Sequence, residues 1–147
     1  MTELVEKIKV CLADTFVFKM KVQSYHWNVI GPDFPQYHDF FGDLYGELDG
    51  AVDALAEHIR QLDAFAPSSL SRMIELSTLT EADTIPVAAK MITNLISDND
   101  AVLATITEAY EMAEDMKEFG LSNYLQDRIT EHKKHRWMLK ATANQKA

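Results

Sequence analysis

The chain has five histidines, and two of them, His26 and His38, flank a Gly31-Pro32 break in the stretch SYHWNVIGPDFPQYHDFF. Further on, Asp53-Ala-Leu-Ala-Glu57 sets two carboxylates at i and i+4, the spacing that brings both to one face of a helix. Imidazole nitrogens and carboxylate oxygens together form a ligand set of intermediate hardness that suits divalent iron or zinc. Read singly, each group has an ordinary role. His26 can stack on or cap beside Trp27, His38 can occupy a first helical turn, and carboxylates four apart on a helix commonly face water. Only the combination points to a metal.

The elements that must hold these groups follow from hydrophobic spacing. Leu4, Ile8, Cys11, Phe18, Val22 and Tyr25 recur at helical intervals and predict a first helix from Thr2 to about Asn28. Gly31, Pro32 and Pro35 end it, because they cannot continue the hydrogen-bond ladder. A second helix is expected from about Pro35 to Phe65, with Phe41, Leu44, Leu48, Val52, Leu55, Ile59 and Leu62 inward and Pro67 closing it. Ser68 to Leu76 has room for one short helix. Pro86, with Thr84 as cap, opens a third long helix carrying Met91, Leu95, Val102, Ile106, Ala109 and Ala113 to about Glu118. Phe119-Gly120 is read as its stop and Ser122 as the cap of a fourth, with Tyr124, Leu125, Ile129 and Leu139 inward. No alternating strand pattern occurs. The expectation is an all-α chain, one domain over residues 1–147, built as an antiparallel four-helix bundle with a short extra helix between its second and third long helices.

Composition narrows the function. Twenty-three acidic against fourteen basic side chains give a formal charge of -9, which repels phosphate backbones unless the basic residues are segregated. No cleavable leader and no apolar run long enough to span a bilayer is read, so a cytoplasmic location without a membrane partner is expected. Cys11 is the only cysteine and sits in the apolar rhythm, so it is read as a core thiol.

Distance then constrains the metal reading. With His38 and Asp53 on one helix, the fifteen-residue offset at 1.5 Å per residue separates them by ~22 Å along its axis. They cannot share an ion within one chain. A second copy of the helix packed antiparallel across a two-fold axis would bring the histidine end of one opposite the carboxylates of the other. Gly42, Gly46 and Gly50 form a stripe on this same helix. Each interior glycine costs about 0.5–1 kcal/mol relative to alanine, which close approach of another helix would explain.

These pieces in order, HWNV, the Gly-Pro loop, the second histidine, then VDALAE, PSSL, IELS and HKKHRWMLKA, resemble the Dps family of ferritin-like mini-ferritins across almost the whole chain. The resemblance implies a ferritin-like bundle assembled as a hollow dodecamer, with iron sites at two-fold interfaces. There His26 and His38 of one subunit would face Asp53 and Glu57 of its partner, with Trp27 beside them. It implies a ferroxidase that oxidises Fe(II), with hydrogen peroxide or oxygen as oxidant, and stores Fe(III) as a mineral.

One position departs from the family pattern. Where relatives carry a carboxylate four residues after the second histidine, this chain has Gly42. Asp43 follows, rotated by about 100° around the helix, and Asp39, Asp43 or water is left to complete the coordination. Weakened or altered iron binding, and at the limit an inert shell, is therefore expected. Asp127 is the candidate for an iron-entry pore, although Asn123 stands where relatives often carry an aspartate. DNA binding, the alternative function, is not expected: the first helix begins near Met1 and only Lys140 and Lys146 lie at the far end. The intrachain ferritin site needs Glu-x-x-His on two helices, and no glutamate here has a histidine three residues on. Glu131, His132 and His135 are read, from their Lys133-Lys134 neighbours, as a solvated face.

Overall fold

The computed structural model describes residues 1–145, which leaves Lys146, one of the two C-terminal lysines considered above, outside the described residues. Five helices make up the described chain: α1 (Thr2–Asn28), α2 (Phe34–Gln61), the short α3 (Leu70–Leu76), α4 (Ala88–Asp115) and α5 (Phe119–Thr142). No strand occurs among the described residues. The fold is all-α, a four-helix bundle with α3 in the crossover between α2 and α4. Helix α1 packs against both α2 and α4, and α4 against α5. The backbones of α2 and α5 scarcely meet, so that seam is bridged by long side chains.

Hydrophobic spacing accounts for the core. Leu4, Ile8, Phe18, Val22 and Tyr25 of α1 meet Phe41, Leu48, Leu55 and Ile59 of α2 and Met91, Leu95, Val102 and Ile106 of α4, all essentially inaccessible. Cys11 is buried as expected, and burial pushes its thiol far above the ordinary range. Val52, Leu62, Tyr124 and Ile129 are only half-buried against the core.

Helix ends differ from the sequence reading in four places. The second helix stops at Gln61, short of Phe65, where Asp63 takes a positive φ of 62°. Helix α4 starts at Ala88 behind Val87, so neither Thr84 nor Pro86 opens it. The turn after α4 is made by Lys117 at φ 59°, and Phe119 begins α5 instead of ending α4. Ser122 consequently lies inside α5, buried, with its hydroxyl on the Glu114 carboxylate across the turn. A left-handed residue or a side-chain contact made after folding marks the boundaries at Asp63, Lys117 and Ser122, whereas α4 follows Val87 in extended backbone with no side-chain cap.

The crossover is anchored by a buried carboxylate. Asp14 of α1 is fully inaccessible and accepts hydrogen bonds from Ser77 Oγ, Thr78 N, Thr78 Oγ1 and Thr105 Oγ1 at 2.6–3.0 Å. Four donors satisfy a buried charge that would otherwise be costly to desolvate. They tie the end of α3 and the middle of α4 to α1.

Candidate metal centre

Helix α1 ends next to the start of α2, and the turn between them needs Gly31 at φ 128°, a conformation that residues with a side chain rarely adopt. Pro35 in the first turn of α2 suits the helix start. This short connection brings His26, in the last turn of α1, against His38, in the second turn of α2. Their rings stack with centroids 3.9 Å apart and planes at 13°. His26 Nδ1 donates to the His38 carbonyl at 2.6 Å, and His38 Nδ1 donates to the His26 carbonyl at 2.7 Å. The His26 carbonyl belongs to the last turn of α1, whose oxygens lack partners within the helix, so His38 acts as a cap.

This reciprocal bonding fixes both tautomers. With the proton held on Nδ1, each Nε2 keeps its lone pair, the form in which imidazole binds a metal. Neither Nε2 has a hydrogen-bond partner among the described residues. Phe34 stacks on His38 at 5.0 Å and Tyr45 lies tilted on His26 at 5.2 Å. The His26 ring rests against Gly42: a Cβ there would lie 3.0 Å from His26 Cε1 and 3.2 Å from its Nδ1. Around Gly46 and Gly50 nothing lies within 4 Å, so within one chain no helix covers that part of the stripe.

Asp53 and Glu57 stand exposed on the same helix α2. The hydrogen bond and negative charge of Asp53 raise the Glu57 carboxyl above its ordinary value. Two carboxylates that crowd one another this way gain from a shared cation. They remain about 22 Å along α2 from His38, so the structure brings the histidines together but leaves the acids apart from them. Asp39 and Asp43 are exposed on α2 and Asp127 is exposed on α5. Trp27 is 59% exposed and, with Phe16, Met20, Leu70 and Ile74, lines an open groove of about 400 Å³ between α1 and α3.

A second polar cluster corrects the reading of the last helix. His132 and His135 are buried, not solvated. Leu121, Leu125, Arg128, His132, His135 and Leu139 form a single inner stripe at steps of four and three, and Lys133 and Lys134 point outward between them. Arg128 pairs with both Glu47 oxygens through Nη1 and Nη2, and His135 Nε2 donates to Glu47 Oε1 at 2.7 Å. Burial alone would raise the Glu47 carboxyl, but the hydrogen bonds from His135 and Arg128 and the guanidinium charge outweigh it and hold it down at about 2. Burial, and then the charge of Arg128, drive His132 well below its ordinary value. It stays neutral, donating from Nδ1 to Asn99 Oδ1 at 2.8 Å and accepting from Arg128 Nη2 at Nε2, 3.0 Å away. Glu47, Glu131 and His135 lie close enough together to hold an ion. The Arg128 cation already neutralises Glu47 there.

No helix among the described residues is long and apolar enough to cross a membrane. The ferritin-like domain family model matches residues 5–146. An uncharacterised low temperature-induced protein of Nostoc sp. is 30% identical over 132 residues, covering 88% of this chain and 74% of that one. DNA protection during starvation protein 2 of Bacillus anthracis is 29% identical over 143 residues, 97% of this chain and 98% of that one. The crystal structure of a Dps protein from Vibrio cholerae, described as a member of a broad superfamily of ferritin-like diiron-carboxylate proteins, superposes with a TM-score of 0.92 at 28% identity, over 95% of this chain and 88% of that one. The bundle with its short crossover helix and these similarities together make the chain a member of the ferritin-like family, of the Dps type.

Proposed function

We propose that the protein stores and detoxifies iron, acting as a ferroxidase at sites shared between subunits of a closed homo-oligomeric shell, a dodecamer. Fe(II) is the substrate. His26 and His38 of one subunit supply two imidazole nitrogens, and Asp53 and Glu57 of the two-fold partner supply oxygens, with Trp27 at the margin. The observation that carries this reading is the mutual Nδ1-to-carbonyl bonding within a stacked pair of rings, which leaves the Nε2 of each free to bind a metal. Asp43 or water completes the coordination where Gly42 contributes nothing, and Asp127 lines the route by which cations enter.

In the reaction two ferrous ions each lose one electron and one hydrogen peroxide accepts both. Its O–O bond breaks, leaving two oxygens at the oxidation level of water. Hydrolysis of the ferric product to an oxyhydroxide releases protons and drives storage. Few protein donors leave positions open for the oxidant, which saturated coordination would block. Both reagents that generate hydroxyl radicals are consumed together, which supports a role in oxidative stress. The V. cholerae relative's membership of a diiron-carboxylate superfamily and the starvation-protection name of the B. anthracis relative support the same reading.

Stopped-flow absorbance after mixing the intact assembly with Fe(II) and peroxide tests it. Oxidation faster than in buffer, lost in His38→Ala and in Asp53→Ala, is the expected result. Oxidation no faster than in buffer by an intact shell would establish an inert particle instead.

A further inference from the structure

We propose that Arg128 is a resident cation: its guanidinium neutralises an intrachain donor set of Glu47, Glu131 and His135 and keeps divalent metal ions out of it. Glu47 comes from α2 and the other two from α5, and one ligand atom of each lies within 4.8 Å of the others. Carboxylate oxygens with an imidazole nitrogen suit iron, cobalt or zinc. Glu47 and Glu131 are half-buried, so an ion can reach the set from solvent. The set shares no residue with the interface sites and does not depend on them.

The guanidinium is held as an ion would be. Its Nη1 and Nη2 pair with both Glu47 oxygens, and Nη2 lies 3.0 Å from Glu47 Oε1 and 3.0 Å from His132 Nε2. One cationic nitrogen therefore meets a carboxylate oxygen and the lone pair of a neutral imidazole, both donors of the kind a metal takes. His132 is oriented as a metal-binding histidine commonly is, by donating its other ring proton, here from Nδ1 to Asn99 Oδ1 at 2.8 Å. Asn99 is fixed in turn by its Nδ2, which donates to the His132 carbonyl at 2.9 Å. Arg128, His132 and His135 are buried, so water screens the guanidinium poorly from a second cation. A divalent ion arriving beside Glu47 must face that charge and break the paired bonds that hold it. Without the guanidinium, Glu47 is left with an uncompensated charge that a metal ion can neutralise.

The test uses Co(II), whose visible absorption reports the number and type of its ligands. Wild type, Arg128→Ala, Arg128→Lys and the Glu47→Gln/Arg128→Ala combination are titrated as assembled shells, and the interface sites, common to all four, cancel in the differences. Arg128→Ala is expected to take up about one further Co(II) per chain, with an added absorption band and at least about tenfold tighter than any such binding by wild type. Arg128→Lys keeps a positive charge and the combination lacks the Glu47 carboxylate, so neither should take up the further ion. Thermal unfolding gives a second readout: Co(II) should raise the unfolding temperature of Arg128→Ala more than that of wild type.

No further Co(II) in Arg128→Ala, or the same addition in wild type, in Arg128→Lys or in the combination, would overturn the proposal. If Arg128→Ala does not assemble by itself, refolding with Co(II) decides. Assembly rescued by Co(II) in Arg128→Ala but not in the combination supports the inference, and any other result overturns it.

Discussion

His26 and His38 hold each other by their main chains: each ring nitrogen Nδ1 donates to the other residue's carbonyl, at 2.6 and 2.7 Å. The two side chains touch one another only through their stack, with centroids 3.9 Å apart. Removing either ring takes away one Nε2 and the 3.9 Å stack, but leaves the main-chain carbonyl to which the other ring donates. His26→Ala and His38→Ala should therefore each weaken ferrous binding at least about tenfold, and the double variant should be weaker than either, because the ring left in each single variant keeps its own carbonyl partner. Anaerobic calorimetry of the three variants checks this, and a double variant that binds as well as either single one would contradict it.

In the proposed site, the carboxylates of Asp53 and Glu57 would trade stability for binding. Glu57 is raised by its hydrogen bond to Asp53 and by the neighbouring charge. A group with a raised folded pKa favours the folded state below its ordinary value and loses that contribution as pH rises through the folded value. At neutral pH the metal-free pair is therefore a small liability. Asp53→Asn should raise the unfolding temperature of the metal-free protein near neutral pH, return the Glu57 titration toward that of an ordinary carboxyl, and abolish peroxide-driven iron oxidation. Carboxyl NMR titration together with thermal scans would show all three.

How much of this was legible in the residues depends on range. Apolar spacing found α1 and the cores of α2 and α4 because burial repeats with the helix turn, and Leu4 through Tyr25 fall on the expected face. Helix ends set by Asp63 or Lys117 in left-handed conformations carry no periodic signal. The histidine pair was visible as types and spacing, but its hydrogen bonds were not, since they depend on how the Gly31 turn folds α1 back on α2. The buried cluster on α5 was misread because Lys133-Lys134 gave a local impression of solvent. The available signal was longer in range: Leu121, Leu125 and Leu139 define a stripe that Arg128, His132 and His135 continue in register. Glu47, the partner of Arg128 and His135, lies more than eighty positions before them, a pairing no local pattern reveals.

Asp14 is the largest stability hinge of the crossover. Asp14→Ala removes the acceptor of four donors, three of them in Ser77 and Thr78 at the end of α3. Hydrogen bonds to a charged group contribute about 1.5–3 kcal/mol, and orphaned buried donors add their desolvation cost. A loss of about 3 kcal/mol is expected in denaturant unfolding. Hydrogen exchange should speed up first around residues 77–79.

Acid should act on the bundle through His132. Its folded pKa is depressed by burial and by Arg128, so between that value and the ordinary 6.5 the unfolded chain binds the extra proton. The stability this group contributes is complete above the ordinary value and falls as pH drops below it. His132→Gln keeps a polar side chain but cannot titrate. It should be less stable than wild type at pH 7.5 and show a flatter dependence of unfolding temperature between roughly pH 6.5 and 5. Glu47, held at about 2, adds its own loss only at lower pH, as pH falls from the ordinary carboxyl range toward that value.

Reciprocal donation across a two-fold axis makes a quantitative prediction for mixed particles. His38→Ala subunits keep intact carboxylates, and Asp53→Ala subunits keep intact histidines. Either variant alone contains no complete site. When the two are unfolded, mixed in equal amounts and refolded together, half of the two-fold pairs should contain one of each. In such a pair one of the two sites joins the unmodified histidines to the unmodified carboxylates, and the other is doubly broken. About a quarter of the wild-type sites, and about a quarter of the peroxide-driven oxidation rate per subunit, should therefore return. If each chain instead housed its own site, the mixture would be as inactive as its components. Because His38 and Asp53 lie ~22 Å apart along α2, only an exchange between chains can produce the recovery.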